Sequence, residues 1–344
     1  MLYTRTHDFD RIIFSNWIGV ADFPLIRKGK NLKVYNSIDE FIAPEKGIAL
    51  MIGKADALHL GHIALINEMI TMAGETGCDT SILSLVPDPL NPIFRGNMPG
   101  FVLTVKERTE MLKNWPIDHL IYQKMTNDFT SQTPLNFVKK TLVEKLHTRA
   151  VVVGWDFLFG KDRSGNIDLL TGLASDMSFQ LKVVDRVEVE HAPVKTSYIR
   201  ELLAEGNYPK AQNLLGYPFF LIGTVITGHG LGKKIGFPTA NLSIPREKLL
   251  PRRGVSIVRV LFDDAVHWGL ANIGTRPTIC YEEHPTTEVW LRNFSGDLVG
   301  RELKLEFFKY LRDEVKFPSL EELTTQISQD AVDLESYLEE IGRA

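Results

Sequence analysis

Cysteine is nearly absent from this chain: Cys78 and Cys280 are the only two in 344 residues. So sparse and so widely separated a pair excludes a disulfide-stapled scaffold and reads as two buried thiols in a reducing compartment. Long apolar runs are missing as well. No stretch reaches the roughly 18 residues of a membrane span, and the first residues lack the basic, apolar and small-residue order of a secretory signal. The expected location is the cytoplasm. There is no basic excess either. With 39 Lys+Arg against 43 Asp+Glu the net charge is -4, and no basic stripe offers itself to a phosphate backbone, which argues against a nucleic-acid partner. What is present is an ordinary globular composition, 44% hydrophobic and 24% charged, in a chain long enough for two domains, each with its own core.

From Ile48 to Val184, short apolar β-prone runs alternate with helix-like stretches: IALMIG, IALINEMITMAG, SILSLV, TVKERTEMLKNW, HLIYQ, PLNFVKKTLVEKL and AVVVG. Strands buried on both faces read as continuous apolar runs. Their alternation with helices implies an α/β doubly wound parallel sheet. Asn166 to Leu170 and Phe179 to Val187 add later elements. KTSYIRELLAEG reads as a helix that begins at Thr196 or Ser197 and is closed by Gly206.

Beyond Gly216 the β-type runs follow one another without helices: FFLIGTVITG, GVSIVRVLFDD, VHWGLANIG, TEVWLRNF and RELKLEFFKYL. That order predicts an antiparallel β-barrel. A C-terminal helix follows, with Leu320, Leu323, Ile327, Ala331, Leu334 and Leu338 at the spacing of one face. The domain boundary is expected within residues 205–217, in a helical connector.

One turn in the first domain carries chemistry. In IALMIGKADALHLGHIALINEM, from Ile48 to Met69, a strand hands over to a helix through His-Leu-Gly-His. Ligands of open α/β sheets bind at the carboxyl ends of strands, and a helix N-terminus offers unpaired N–H groups to an anion. Gly61 removes a side chain where a phosphate approaches the backbone, and His59 and His62 can donate ring N–H bonds to oxygens that gain charge during phosphoryl or nucleotidyl transfer. A two-histidine metal site is the competing reading, but helical zinc pairs sit at i and i+4 beside a glutamate that this turn lacks.

The run Gly53 to His62, the segment VVVGWDFLFGKDRSG (Val151 to Gly165) and KTSYIR (Lys195 to Arg200) together resemble the adenylyltransferase half of the bacterial bifunctional riboflavin kinase/FAD synthetases. The resemblance implies that His59 and His62 hold ATP phosphates, with Gly53, Asp56 and Gly61 as nucleotide-binding residues of the same turn. It places Gly154 and Asp156 at the nucleotide–flavin site and Thr196, Ser197 and Arg200 on phosphate. The chain departs from the family where Gly-Asn-Phe-Asp-Gly is usual: here Lys54, Ala55 and Ala57 accompany Gly53 and Asp56. A Pro-His-Pro that often follows the next strand is Pro87-Asp88-Pro89. Lys54 is a candidate compensating phosphate contact, and a weakened or altered nucleotidyl site is the other reading.

The second domain opens with GHGLGKKIGFPTANL, Gly228 to Leu242. Gly228, Gly232 and Gly236 make a side-chain-poor loop able to wrap phosphates, and Lys233 and Lys234 add positive charge. Thr239 and Asn241 follow at once, with oxygen donors suited to magnesium. The stretch fits neither the Walker consensus nor the protein-kinase set. With ANIGTRPT (Ala271 to Thr278), TTEVWLRNF (Thr286 to Phe294) and LRDEVKF (Leu311 to Phe317), it resembles the riboflavin kinase domain nearly end to end. The resemblance implies that Thr239 and Asn241 bind magnesium-ATP and that Glu288 takes the proton from the ribityl 5'-hydroxyl. Trp290 and Asn293 stand where the family usually has histidine and aspartate. Arg312 is a ligand-gating or surface arginine, and Phe237, Trp268, Trp290 and Phe294 can flank an isoalloxazine ring, though core packing accounts for most of them.

The resemblance begins near Leu32, so residues 1–31 are read as an extension without an assigned role, 32–204 as an FMN adenylyltransferase-like nucleotidyltransferase domain and 205–344 as the riboflavin kinase domain. The expected activity is riboflavin to FMN and FMN to FAD, with ATP, riboflavin and FMN as small-molecule substrates and Mg2+ as cofactor. The alternatives are a kinase with a degenerate nucleotide-binding domain and a non-catalytic flavin-binding regulatory or delivery protein. Thr239, Asn241 and Glu288 weigh against the last, since a pure binder has no need of a magnesium pair plus a base.

Overall fold

The computed structural model describes residues 31–94, 100–228, 232, 235–275 and 285–343. The expectations for residues 1–30, Lys233, Lys234 and Cys280 lie outside the described residues. By packing, the chain divides at the start of one helix into a unit ending at Thr196 and a unit beginning at Ser197.

The first unit is built on a six-stranded sheet in the order β1-β4-β3-β2-β5-β6, every pairing parallel. Its strands are β1 (Lys33–Tyr35), β2 (Ile48–Gly53), β3 (Asp79–Pro87), β4 (His119–Met125), β5 (Thr148–Gly154) and β6 (Gln180–Val184). The apolar runs predict β2 to β5; β6 falls within Phe179 to Val187, an element without an assigned type, and β1 is an edge strand too short to show a pattern. β2 is buried along almost its whole length because helices cover both of its faces. Helix α1 (Leu60–Thr76) follows β2 and ends at Gly77, whose φ of 70° suits glycine. Helix α2 (Val105–Leu112) starts with a capping box between Thr104 and Glu107. The stretch expected as one helix before β5 is a turn at Pro134–Asn136 that continues with π-helical winding over Phe137–Lys145. Helix α3 (Ile167–Asp176) and a hairpin of β7 (Glu188–Val189) and β8 (Ala192–Pro193) complete the unit. The core on one side of the sheet joins Ile48, Leu50, Ile52, Val151 and Val153 to Phe137, Val138, Leu142 and Leu170. Cys78 is buried, as expected.

The order of the strands fixes where a ligand enters. The chain steps from β2 to β3 and β4 in one direction, then returns to lay β5 against the other side of β2. The reversal therefore lies between β2 and β5, and the crevice outside their carboxyl ends is the binding position of such sheets.

The second unit begins with α4 (Thr196–Glu205, all but its first residue) and α5 (Tyr208–Leu215). It continues as a closed antiparallel barrel, β10-β13-β12-β11-β14-β9. The strands are β9 (Phe220–Ile226), β10 (Thr239–Ser243), β11 (Gly254–Phe262), β12 (Ala265–Thr275), β13 (Pro285–Leu291) and β14 (Glu302–Arg312). β10 is a strand that the apolar runs do not mark. Its sequence, TANLS, pairs with β9 on one side and β13 on the other. Alternate residues fill the barrel: Val258, Val260, Ala271, Ile273, Val289, Leu305 and Phe307 are fully buried. On the outer face, Val255, Ile257 and Leu270 receive Leu334 and Leu338 of α6 (Leu320–Glu340).

The face expected for α6 is only partly correct. Leu334 and Leu338 are buried, but Leu320 is 54% exposed. The inward position one turn before Leu334 is taken by Asp330, which binds Arg312 through two bonds of 2.8 and 2.7 Å. A search for apolar spacing passes over a buried carboxylate that is held by an arginine.

Among the described residues, no helix is long and apolar enough to cross a membrane.

Candidate active sites

The β2–β5 crevice carries the histidine turn on one side. His59 is the N-cap of α1, and its Nδ1 accepts the main-chain N–H of His62 at 3.2 Å. The rings of His59 and His62 stack with centroids 3.8 Å apart. Gly61 makes the stack possible, because a methyl group there would lie 3.1 Å from the His59 ring and 3.7 Å from the Val194 carbonyl oxygen. The glycine thus accommodates a ring in this structure as well as leaving backbone open. Burial pushes the His59 imidazole down to about 4. Burial also holds His62 well below the ordinary range, helped by the neighbouring His59 and Arg108. Both rings are neutral at pH 7. Because Nδ1 of His59 is an acceptor, its hydrogen resides on Nε2.

The turn before His59 is pinned from beneath by Arg108, a residue that apolar spacing and motif alike pass over. Its guanidinium is 1% exposed and donates to the carbonyl of Lys54 at 2.8 Å, to Ser84 Oγ at 2.6 Å and to the carbonyl of Leu103 at 3.3 Å. It also lies 3.9 Å from Asp56, whose carboxylate accepts the Val102 N–H at 3.1 Å. Asp56 is buried, as His59 is. The one sequence hint was an arginine on a short amphipathic helix, which normally reads as a solvated position.

The departures from the family pattern have local explanations. The positive φ values of this turn fall at Ala55 (47°) and Leu58 (40°), not at Ala57. Alanine in place of glycine at position 57 therefore imposes no backbone strain. Lys54 is exposed. Asp88 is buried and accepts the N–H of Leu90 at 3.1 Å, so its carboxylate closes its own turn.

On the other side of the crevice, β5 ends at Gly154 and the chain turns through Trp155 and Asp156. Asp156 is exposed, and Lys195 stands 3.8 Å from its carboxylate and 4.9 Å from the centre of the Trp155 ring. Adjacent parallel strands thus bring Gly53, Gly61, His59 and His62 to one lip of the crevice and Gly154 and Asp156 to the other. Thr196, Ser197 and Arg200 lie within the first five residues of α4.

On the barrel, the expected site residues converge on the outer face. Asn241 of β10 stands directly opposite Glu288 of β13, and Thr239 stands opposite Trp290. Facing residues of an antiparallel pair lie side by side on one face of the sheet. The loop glycines press on the same residues: a methyl group at Gly228 would collide with the Asn241 amide, and one at Gly232 would strike the Phe237 carbonyl oxygen and lie 3.1 Å from Thr239 Oγ1. The Phe237 N–H donates back to the Gly232 carbonyl at 2.9 Å, and Gly236 has a φ of 84°. Phe237 meets Trp290 edge-on at 5.5 Å. The other two aromatics are packed: Trp268 against Phe308 and Tyr337, Phe294 against Phe262 and His267. Arg312 is committed to Asp330.

Comparison with known proteins agrees with this geometry. The FAD synthetase family model matches residues 42–198, and the riboflavin kinase family model matches residues 215–338. A bifunctional riboflavin kinase/FMN adenylyltransferase of Listeria monocytogenes is 31% identical over 87% of this chain and 94% of its own length. The protein of that name from Haemophilus influenzae is 33% identical over 83% of this chain and 92% of its own. The chain belongs to the bifunctional riboflavin kinase/FMN adenylyltransferase family. A crystal structure described as a macrolide-efflux protein from Streptococcus pneumoniae shares the fold, with a TM-score of 0.78 at 24% identity over 88% of this chain and 98% of that one. Within the family, the histidine turn and the Asp156 turn belong to the adenylyltransferase match, and Thr239, Asn241 and Glu288 to the kinase match. Having both matches supports the two-activity reading over a lone kinase or a flavin carrier.

Proposed function

We propose that the barrel phosphorylates riboflavin to FMN and that the parallel-sheet unit adenylylates FMN to FAD, with ATP as donor in both. The observation that carries the kinase assignment is the cross-strand pairing of Asn241 and Glu288 beside a glycine loop packed on Thr239 and Asn241. An alcohol is a poor nucleophile at neutral pH, which gives a neighbouring carboxylate a definite role. Glu288 accepts the 5'-hydroxyl proton as the oxygen attacks the γ-phosphorus, whose bond to the bridging oxygen breaks to release ADP. Thr239 and Asn241, two residues apart on β10 and so on one face of the strand, offer a hydroxyl and an amide oxygen, hard donors of the kind that fit a magnesium ion. Thr239 and Asn241 would hold the ion there with ATP, where it would neutralise charge on the phosphates. Gly228, Gly232 and Gly236 line the path of the triphosphate, Lys233 is assigned to it by the family resemblance alone, and Phe237 and Arg312 border the flavin.

In the first unit the nucleophile is already an anion, so no base is needed. What the chain must do is align the FMN phosphate with the α-phosphorus and stabilise departing pyrophosphate. His59 and His62 supply ring N–H donors. Gly53 and Gly61 leave room at the strand end, Asp56 fixes the turn, and Gly154 and Asp156 face the nucleotide–flavin pair. Thr196, the last residue of this unit, holds a phosphate oxygen, and Ser197 and Arg200 are assigned to phosphate by the family resemblance alone. The partners are small molecules, and we place the enzyme in the cytoplasm.

A chromatographic assay of riboflavin, FMN and FAD tests this reading. Glu288→Ala should abolish FMN formation and leave FAD synthesis from supplied FMN intact. Wild-type enzyme that makes FMN but no FAD from FMN, ATP and magnesium would refute the adenylyltransferase half.

A further inference from the structure

The outer face of the barrel holds one more polar side chain in the same cross-strand row. Glu288 is flanked by Asn241 on β10 and, on its other side, by Asn272, which stands directly opposite it on β12. The next residue in the row is Val255, which faces Asn272 from β11 and belongs to the apolar patch under α6. Leu270, two residues along β12 on the same face, belongs to that patch too. Asn272 therefore sits at the seam between an apolar cover and the carboxylate proposed as base.

Its amide oxygen is buried and has no hydrogen-bond partner among the described residues. Burying an acceptor without a donor costs free energy, and leucine or valine would fill this position next to Val255 and Leu270 without that cost. Packing gives no reason for an asparagine here. A donor brought by the substrate does. The group that Glu288 addresses is the terminal hydroxyl of a polyol chain, so the neighbouring donors on such a substrate are further hydroxyls.

We propose that Asn272 is a specificity-determining residue of the kinase site, its amide oxygen accepting a hydrogen bond from a ribityl hydroxyl adjacent to the one that is phosphorylated. The inference rests on the kinase reading of the barrel. It gives the site two adjacent acceptors with separate roles, since Glu288 takes a proton and Asn272 sets the register of the chain that presents it. A polyol lacking the adjacent hydroxyl leaves the asparagine oxygen unpaired and is discriminated against for that reason.

Two variants of the full-length enzyme test it. Asn272→Leu removes the buried acceptor, so its melting temperature should equal or exceed that of wild type. Its KM for riboflavin should nonetheless rise about tenfold while KM for ATP stays constant, the effect of losing one substrate hydrogen bond. Riboflavin analogues lacking single ribityl hydroxyls sharpen the result: one of them should be a poorer substrate for wild type and lose nothing further in Asn272→Leu. Asn272→Asp places a second carboxylate opposite Glu288 and should move the acidic limb of the kcat/KM profile upward by about one pH unit. A stable Asn272→Leu enzyme with KM for riboflavin within twofold of wild type, and no analogue whose penalty depends on residue 272, overturns the inference. Glu288→Gln run in parallel separates the two levels: full activity there overturns the site assignment itself, whereas loss there with a normal Asn272→Leu enzyme overturns only the role of Asn272.

Discussion

His59 caps the helix that carries His62, its Nδ1 accepting the His62 main-chain N–H at 3.2 Å while the two rings stack. One residue thereby holds the helix start, fixes its own tautomer and leaves Nε2–H as its remaining donor. The chemistry available to this lip of the crevice is that of neutral imidazoles.

Acid should therefore destabilise the first unit over a defined range. Burial lowers the folded-state value of His59 to about 4, below the roughly 6.5 of an unfolded chain. Between those values the unfolded state binds a proton that the folded state refuses, so stability is full above the upper value and falls as pH drops toward the lower one. The shift corresponds to about 3 kcal/mol. His59→Asn keeps a side-chain oxygen for the cap and should flatten this slope in urea unfolding followed from pH 7 to pH 4. It should also lower FAD synthesis by about 100-fold through the lost N–H donor. An unchanged slope would show that His59 does not report on acid unfolding.

Arg108 is expected to act at a distance from any ligand. Arg108→Met keeps most of the volume but leaves the Lys54 and Leu103 carbonyls and Asp56 without their cation. The first unit should lose about 3–5 kcal/mol, the usual result of breaking a buried charged network on one side. FAD synthesis should fall while riboflavin phosphorylation by the same preparation is retained. Thermal unfolding with both assays checks this, and a variant as stable as wild type would contradict the clamp.

Gly232→Ala tests the loop on the barrel. The added methyl group strikes the Phe237 carbonyl oxygen and crowds Thr239, so the loop must shift relative to Thr239 and Asn241. We expect kcat/KM for riboflavin phosphorylation to drop by about 100-fold, as a misplacement of about 1 Å can produce. FAD synthesis should be untouched. Equal losses in both activities would instead indicate general misfolding.

Asp330 is the fourth case. It is 2% exposed and pairs with Arg312 through two bonds, with Gln326 donating to the same carboxylate at 3.0 Å. Asp330→Ala should cost the second unit about 3 kcal/mol and loosen α6, since it strands a partly buried guanidinium. Denaturant unfolding measures the loss. A change below about 0.5 kcal/mol would reduce the pair to a surface contact.

What the amino-acid sequence determined alone was the kind of each element and the identity of the chemical motifs. Apolar runs such as IALMIG and AVVVG mark buried strands, and the capped periodic stretches between them mark helices, because burial on a regular backbone repeats at a fixed local spacing. The His-Leu-Gly-His turn and the Gly-rich run before Thr239 are legible for a similar reason, each being contiguous. The tertiary structure decided everything that depends on residues far apart in the chain. β10 is a strand only because β9 and β13 receive TANLS, and Asp330 is buried only because Arg312 meets it. Arg108 matters through carbonyls in turns that its own helix does not contain. Glu288 lies between Asn241 and Asn272 by virtue of strand register, which is a property of pairing and has no local signature. The depressed titration of the two histidines likewise arises from the burial that folding imposes on them, since an imidazole in the extended chain has water on every side.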